Sequence, residues 1–260
     1  MDNDGIGVAD ELKIVATGDT TIVNCQLSIV HSNKEKDKME HKRLTLFAGH
    51  YGSGKTNIAV NYALYLAAEG KKVCIADLDI VNPYFRTADS EEVLTKAGID
   101  LIRPQYANSN VDLPALPAES YRLVQDKTTY GIMDIGGDDR GAYALGRFTP
   151  AILQENDYRM AFVANCYRPL TPTAEDALQI MREIEAACGL RFTCIVNNAN
   201  LGPETTVETV LDSLDFIKKL CQLSGLPLWC HSAERNVAAQ LPPMDAPVLP
   251  MDLQQKFYLS

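Results

Sequence analysis

The stretch LTLFAGHYGSGKTNIAV, residues 44–60, decides the fold. Gly49, four intervening residues and then Gly54-Lys55-Thr56 spell a phosphate-binding loop. Its glycines let backbone N–H groups approach phosphate oxygens, and the start of the following helix adds positive potential. On this spacing Lys55 reaches the β and γ phosphates, and the Thr56 hydroxyl ligates Mg²⁺. His50, Tyr51, Gly52, Ser53 and Asn57 complete the expected cradle. The loop follows an apolar strand, RLTLFAG (43–49), and precedes KTNIAVNYALYLAAEG (55–70), whose apolar residues recur at helical spacing.

Strands and helices alternate from there. KKVCIADLD (71–79), YGIMDIGG (130–137), YRMAFVANC (158–166), RFTCIVNN (191–198) and PLWCH (227–231) are short apolar runs bounded by turn residues. TPTAEDALQIMREIEAACG (171–189) reads as a helix, with Thr at its start, acidic residues in its first turn and Gly189 after it. TTVETVLDSLDFIKKLCQLSG (205–225) reads as another, and AERNVAAQ (233–240) as a short one. Alternation with helix-length crossovers predicts an α/β fold, a mostly parallel central sheet with helices on both faces. Residues 99–128, with Pro104, Pro114 and Pro117, read as an irregular insertion carrying a short helix.

Residues 1–42 do not share this pattern. ELKIVATGDTTIVNCQLSIV (11–30) suits a hairpin turning at Gly18-Asp19, whereas HSNKEKDKMEHKR (31–43) is charged and aperiodic. The expected organisation is a loosely ordered extension or small hairpin over 1–42 and a nucleotide-binding domain over 43–260. Residues 1–38 are alternatively upstream sequence before a start at Met39.

The formal charge of −10, from 34 acidic against 24 basic residues, disfavours nucleic acid and anionic lipid as partners. No apolar run approaches membrane-spanning length, and the acidic N-terminus lacks the signal-peptide pattern. Seven scattered cysteines, without CxxC or CxC pairs, read as reduced thiols. Together these features place the chain in the cytoplasm.

A Mg²⁺ ion beside the loop needs a carboxylate at the end of a buried strand. Asp134 in GIMDIGG has that place, and the Gly137 N–H stands where it can sense a γ-phosphate. A turn-forming Asp-Gly is the plainer alternative. In VCIADLDIVNPYFR (73–86), Asp77 and Asp79 fall two apart on a strand and so share a face. Asp79 orients or deprotonates a nucleophile, ligates the metal through water, or caps the turn before Asn82-Pro83.

This order of features resembles the MinD/ParA branch of P-loop ATPases, which includes the nitrogenase iron protein, the arsenical-pump ATPase and dethiobiotin synthetase. The resemblance covers residues 43–250. It implies Lys55 and Thr56 as phosphate and Mg²⁺ contacts, Asp79 as the catalytic or switch carboxylate, and Asp134 as the metal Asp. It also implies an adenine-contacting Asn after a late strand; CIVNNAN (194–200) offers Asn197 and Asn198, with Asn197 favoured over simple turn chemistry. The branch's signature lysine, which reaches a dimer partner's phosphate, aligns with His50, a short and mostly neutral side chain near pH 7. Arg86 and Arg140 are the alternative cations, or plain loop surface.

The leading expectation is a Mg-ATP-dependent ATPase, acting through conformational change or a nucleotide-dependent homodimer on an unidentified protein partner. MDLQQKFYLS (251–260) is not a basic amphipathic tail for membrane targeting. The alternatives are a ligase or kinase resembling dethiobiotin synthetase, with 99–128 and DDRGAYALGRF (138–148) lining an acceptor pocket, or a nucleotide-sensing subunit without turnover.

Overall fold

The computed structural model of the protein describes residues 39–79, 87–102, 118–137 and 139–253. The proposed hairpin, Arg86 and residues 103–117 of the 99–128 insertion lie outside them, as do the side chains of Asp139 and Arg140.

Eight strands of the described residues form one sheet: β1 (Leu44–Ala48), β2 (Val73–Leu78), β3 (Asp100–Ile102), β4 (Tyr130–Ile135), β5 (Tyr158–Ala164), β6 (Cys194–Asn197), β7 (Leu228–Glu234) and β8 (Val248–Met251). Their order is β3-β2-β4-β1-β5-β6-β7-β8, and every pairing is parallel. β1 lies between β4 and β5, where the winding direction reverses. At such a switch point the loops leaving neighbouring strands diverge and open a crevice at the carboxyl ends.

Side-chain alternation explains why the sheet is covered twice. Leu44, Leu46 and Ala48 of β1, with Cys74, Ala76 and Leu78 of β2, face one apolar core. Phe47, Val73 and Ile75, pointing the other way, join a second core. The helix α1 (Lys55–Ala68) seats Ile58, Val60, Tyr62 and Leu66 in that second core, beside α2 (Glu91–Lys96). The first core is closed by α3 (Arg122–Gln125), α4 (Asp139–Gly146), α5 (Thr149–Glu155) and α6 (Ala174–Cys188), followed by α7 (Val207–Asp212) and α8 (Leu214–Ser224). A short α9 (Arg235–Ala238) follows β7.

Helix α6 starts as its sequence predicts: the Thr173 hydroxyl accepts from the Asp176 N–H, and Gly189 ends it at φ 72°. The helix expected over 205–225 is instead two, because Ser213 is buried and turns its hydroxyl onto the Val210 carbonyl. β3 and β8 were not anticipated; one is three residues long and the other contains Pro250. Met39 is buried in the second core, and His41 Nδ1 lies 3.0 Å from the Tyr62 hydroxyl, so residues 39–41 are seated on α1. Among the described residues no helix is long and apolar enough to cross a membrane.

Candidate functional site

The phosphate loop leaves β1 at Gly49 and enters α1 at Gly54. Gly54 adopts φ 93°, in the left-handed region, and a Cβ there would stand 2.1 Å from Asn198 Nδ2. The close approach is structural: Asn198 Nδ2 donates to the Ser53 carbonyl at 2.6 Å, and Ser232 Oγ donates to Asn198 Oδ1 at 2.9 Å. The end of β6 therefore clamps the loop, and β7 clamps the clamp. On the other side Gly137 backs directly onto the loop; a Cβ there would meet Tyr51 N at 2.6 Å and the Gly49 carbonyl at 3.0 Å.

Lys55 is buried and donates from Nζ to the His50 carbonyl at 3.2 Å, so its ammonium lies back across its own loop. His50 is partly buried. Burial, and then the Lys55 charge, push its pKa below the ordinary imidazole value, which keeps it neutral. Tyr51 is 50% exposed at the rim, whereas Ser53 and Thr56 are buried. The Asn57 carbonyl accepts from Asn61 Nδ2 at 2.8 Å, one turn into α1.

The carboxylates gather on the β2–β4 side. Asp77 and Asp134 are register partners on adjacent strands, and Asp77 Oδ1 accepts from the Asp79 N–H at 3.0 Å, which fixes the chain as it leaves β2. Asp77, Asp79 and Asp134 are all buried, Asp134 completely. Asp134 Oδ2 accepts from Thr87 Oγ1 at 3.0 Å, while Oδ1 has no hydrogen-bond partner among the described residues. Loss of water pushes the Asp134 carboxyl up to about 6; the Lys55 charge and the Thr56 and Thr87 hydroxyls oppose the shift, and the Asp79 charge adds to it.

Among the described residues no three carboxylate, imidazole or thiolate side chains converge as a self-sufficient metal site. A buried carboxylate oxygen without a donor, beside a threonine hydroxyl, nonetheless fits a hard divalent cation whose other ligands are water and phosphate oxygens.

Lys55, Thr56, Asp79 and Asp134 thus form one group, and Gly49, His50, Tyr51 and Gly137 another that touches it. Asn197 is not brought to the loop. It is 1% exposed, and its Nδ2 lies 2.8 Å from Ser213 Oγ and 3.1 Å from His231 Nδ1. Strand parity separates the neighbours: Asn197 is the last ladder residue of β6, opposite His231, and Asn198 turns to the other side. Nothing local marks Thr87, and nothing local in the sequence tells Asn198 from Asn197 as the one that meets the loop; both act through contacts distant in sequence, 145 residues for Asn198 and 47 for Thr87.

No protein-family model matches the sequence, and no curated protein matches it. Solved structures do. FtsY from Mycoplasma mycoides superposes with a TM-score of 0.51 at 20% identity, over 74% of this chain and 60% of that one. The cell division protein FtsY from Thermotoga maritima superposes with a TM-score of 0.54 at 16% identity, over 81% of this chain and 67% of that one. The chain spans 60% and 67% of those proteins' lengths. What it shares with them is the architecture: an α/β fold of the P-loop NTPase type, one parallel sheet with helices around it.

Proposed function

We propose that this chain is a Mg-ATP-binding P-loop ATPase of the MinD/ParA-like class. It couples ATP binding and slow hydrolysis to a conformational change or to homodimerisation, and so acts on a protein partner. Asp134 is the observation that carries this reading. A fully buried carboxylate with one unbonded oxygen is costly, and here it stands beside the lysine and threonine of a phosphate loop.

In this reading the loop N–H groups and Lys55 hold the phosphates, with the Lys55 ammonium turning from the His50 carbonyl to the ligand. Thr56 and Asp134, with Asp79 beside them, would hold Mg²⁺. The ion would offset charge that develops on the β- and γ-phosphate oxygens. Asp79 positions the attacking water and accepts its proton. Gly137 lies against the loop at the Tyr51 N–H. A ligand that moves the loop therefore moves Gly137, and with it α4, which begins two residues later. That linkage is the proposed route from nucleotide to partner surface.

ATP rather than GTP rests on the resemblance to the MinD/ParA branch; the segment between β6 and α7 carries the amides of Asn198 and Asn200 and one carboxylate, Glu204. A second reading, a ligase or kinase with a small acceptor, is favoured by His50, whose neutral ring offers no fixed charge to a partner subunit's phosphates. Turnover assays on the full chain separate the two. Slow ATP hydrolysis that rises with protein concentration, together with ATP-dependent dimerisation, supports the first. A monomer whose turnover depends on a small acceptor supports the second.

A further inference from the structure

The residue at 52 is a glycine for a visible reason: its φ is +75°, in the left-handed region. A Cβ there would stand 3.6 Å from Arg168 Nε and 3.8 Å from its Cδ and Cζ. The Arg168 side chain therefore fills the space a side chain at Gly52 would reach, beside the crest of the phosphate loop, and comes from the β5 side of β1, whereas Asp134 comes from the β4 side. The sequence offered no hint of this, because Arg168 is more than a hundred residues from the loop, in NCYRPL (165–170) after β5.

Two features distinguish it from an ordinary surface arginine. Among the described residues its buried Nε has no hydrogen-bond partner and the guanidinium makes no ion pair. A buried guanidinium donor is seldom left without an acceptor, because its desolvation is then uncompensated. The backbone that carries it is also fixed. Arg168 N donates to the Asn165 carbonyl at 3.3 Å, Thr171 N donates to the Arg168 carbonyl at 3.0 Å, and Thr171 Oγ1 donates to the Asn165 carbonyl at 2.9 Å. Asn165 itself is buried and tied through Nδ2 to the Asn200 carbonyl at 3.0 Å. The loop after β5 thus holds a cation at the rim of the phosphate cradle, built from the same chain.

We propose that Arg168 is a phosphate-binding residue of this site, whose guanidinium donates to the anionic oxygens of a bound nucleotide and supplies the second fixed positive charge beside Lys55. The inference rests on the loop being a nucleotide site. It also answers what stands in for a charged residue at His50, since a planar guanidinium delivers paired donors to phosphate whatever the pH. The carboxylates and metal would then work on one flank of the phosphate chain, and Arg168 on the other.

The test compares Arg168→Met, which keeps the stem and removes the charge, with Arg168→Lys, which keeps the charge and loses the fork. Fluorescent ATP and GTP analogues are titrated into wild type, both variants and Lys55→Ala, at two KCl concentrations. Arg168→Met should weaken binding about tenfold or more, as expected for loss of a charged hydrogen bond. It should also flatten the salt dependence, and Arg168→Lys should recover part of the loss. A role confined to packing predicts that Met binds as wild type does. Affinity within twofold of wild type for Arg168→Met, with binding lost in Lys55→Ala, overturns the proposal and leaves the nucleotide site standing. No binding by wild type overturns both. Should Arg168→Met fail to fold, modification of wild type with an arginine-directed dicarbonyl decides the matter. Nucleotide should protect Arg168 specifically, and equal labelling with and without nucleotide overturns the proposal.

Discussion

The two flanks of the phosphate loop are built on opposite terms. Towards β6 and β7 the asparagine amides are matched: Asn198 holds the Ser53 carbonyl, Ser232 holds Asn198, and Asn197 is bonded into Ser213 and His231. Towards β2 and β4 three aspartates are buried together, with one Asp134 oxygen unbonded. The matched flank sets the loop conformation before any ligand arrives. The unmatched flank holds negative charge out of water, which costs folding stability that a cation would restore. The loop's frame thus comes from the β6–β7 side of one strand and its carboxylates from the β2–β4 side, with the proposed phosphate contact Arg168 added after β5 on the frame's side.

Substitutions that strike one flank and spare the other test this division. The largest effect is expected at the loop itself: Lys55→Ala should weaken nucleotide binding by about a hundredfold or more, beyond a single charged hydrogen bond, because Lys55 is buried and faces the carboxylates. Next comes Asp134→Asn, which should abolish the Mg²⁺ dependence of nucleotide binding yet raise the stability of the ligand-free protein at pH 7, by about 1–3 kcal/mol. The sign follows from the raised carboxyl. Between 3.8 and about 6 the native state binds more protons than the unfolded state, so wild-type stability falls as pH rises through that window. Denaturant melts at pH 4, 5, 6 and 7 should show the gap between variant and wild type opening with pH; a constant gap would mean that Asp134 carries no buried charge.

On the matched flank, Asn198→Ala should lower stability by about 1–3 kcal/mol, since a buried carbonyl loses its donor, and weaken nucleotide binding as the loop loosens. Asn197→Ala should cost similar stability but leave nucleotide affinity within about twofold, because its amide serves the core. A selective loss of adenine nucleotide affinity in Asn197→Ala would instead make it the base contact that the resemblance implies. The smallest effect belongs to His50→Ala, which removes a neutral ring and should change affinity by less than about threefold at pH 7.5.

The fold was legible because its signals are local and mutually consistent. Apolar strands, capped helices and the Gly49–Thr56 spacing are each written within a few residues, and alternation alone implied a parallel sheet. Which residues lie together was legible where a strand end fixes them, as with Asp79 and Asp134, or where the loop does. It was not legible where partners meet across the sheet. Asn197 and Asn198 are neighbours in sequence with opposite fates, decided by strand parity at the last ladder position. Thr87 and Arg168 enter the site from separate crossovers, and no short-range pattern announces them. Ser213 broke an otherwise periodic helix through one hydroxyl, a contact that periodicity does not register.

The central claim is that the loop binds nucleotide together with a divalent cation held at Asp134. Calorimetric titration of ATP and of GTP into the full chain, each with Mg²⁺ and with EDTA, tests it most directly. The expected result is saturable one-site binding that requires Mg²⁺ in wild type, loses that requirement in Asp134→Asn, and disappears in Lys55→Ala. Binding of neither nucleotide by wild type at millimolar concentration, or binding unchanged in Lys55→Ala, would contradict it.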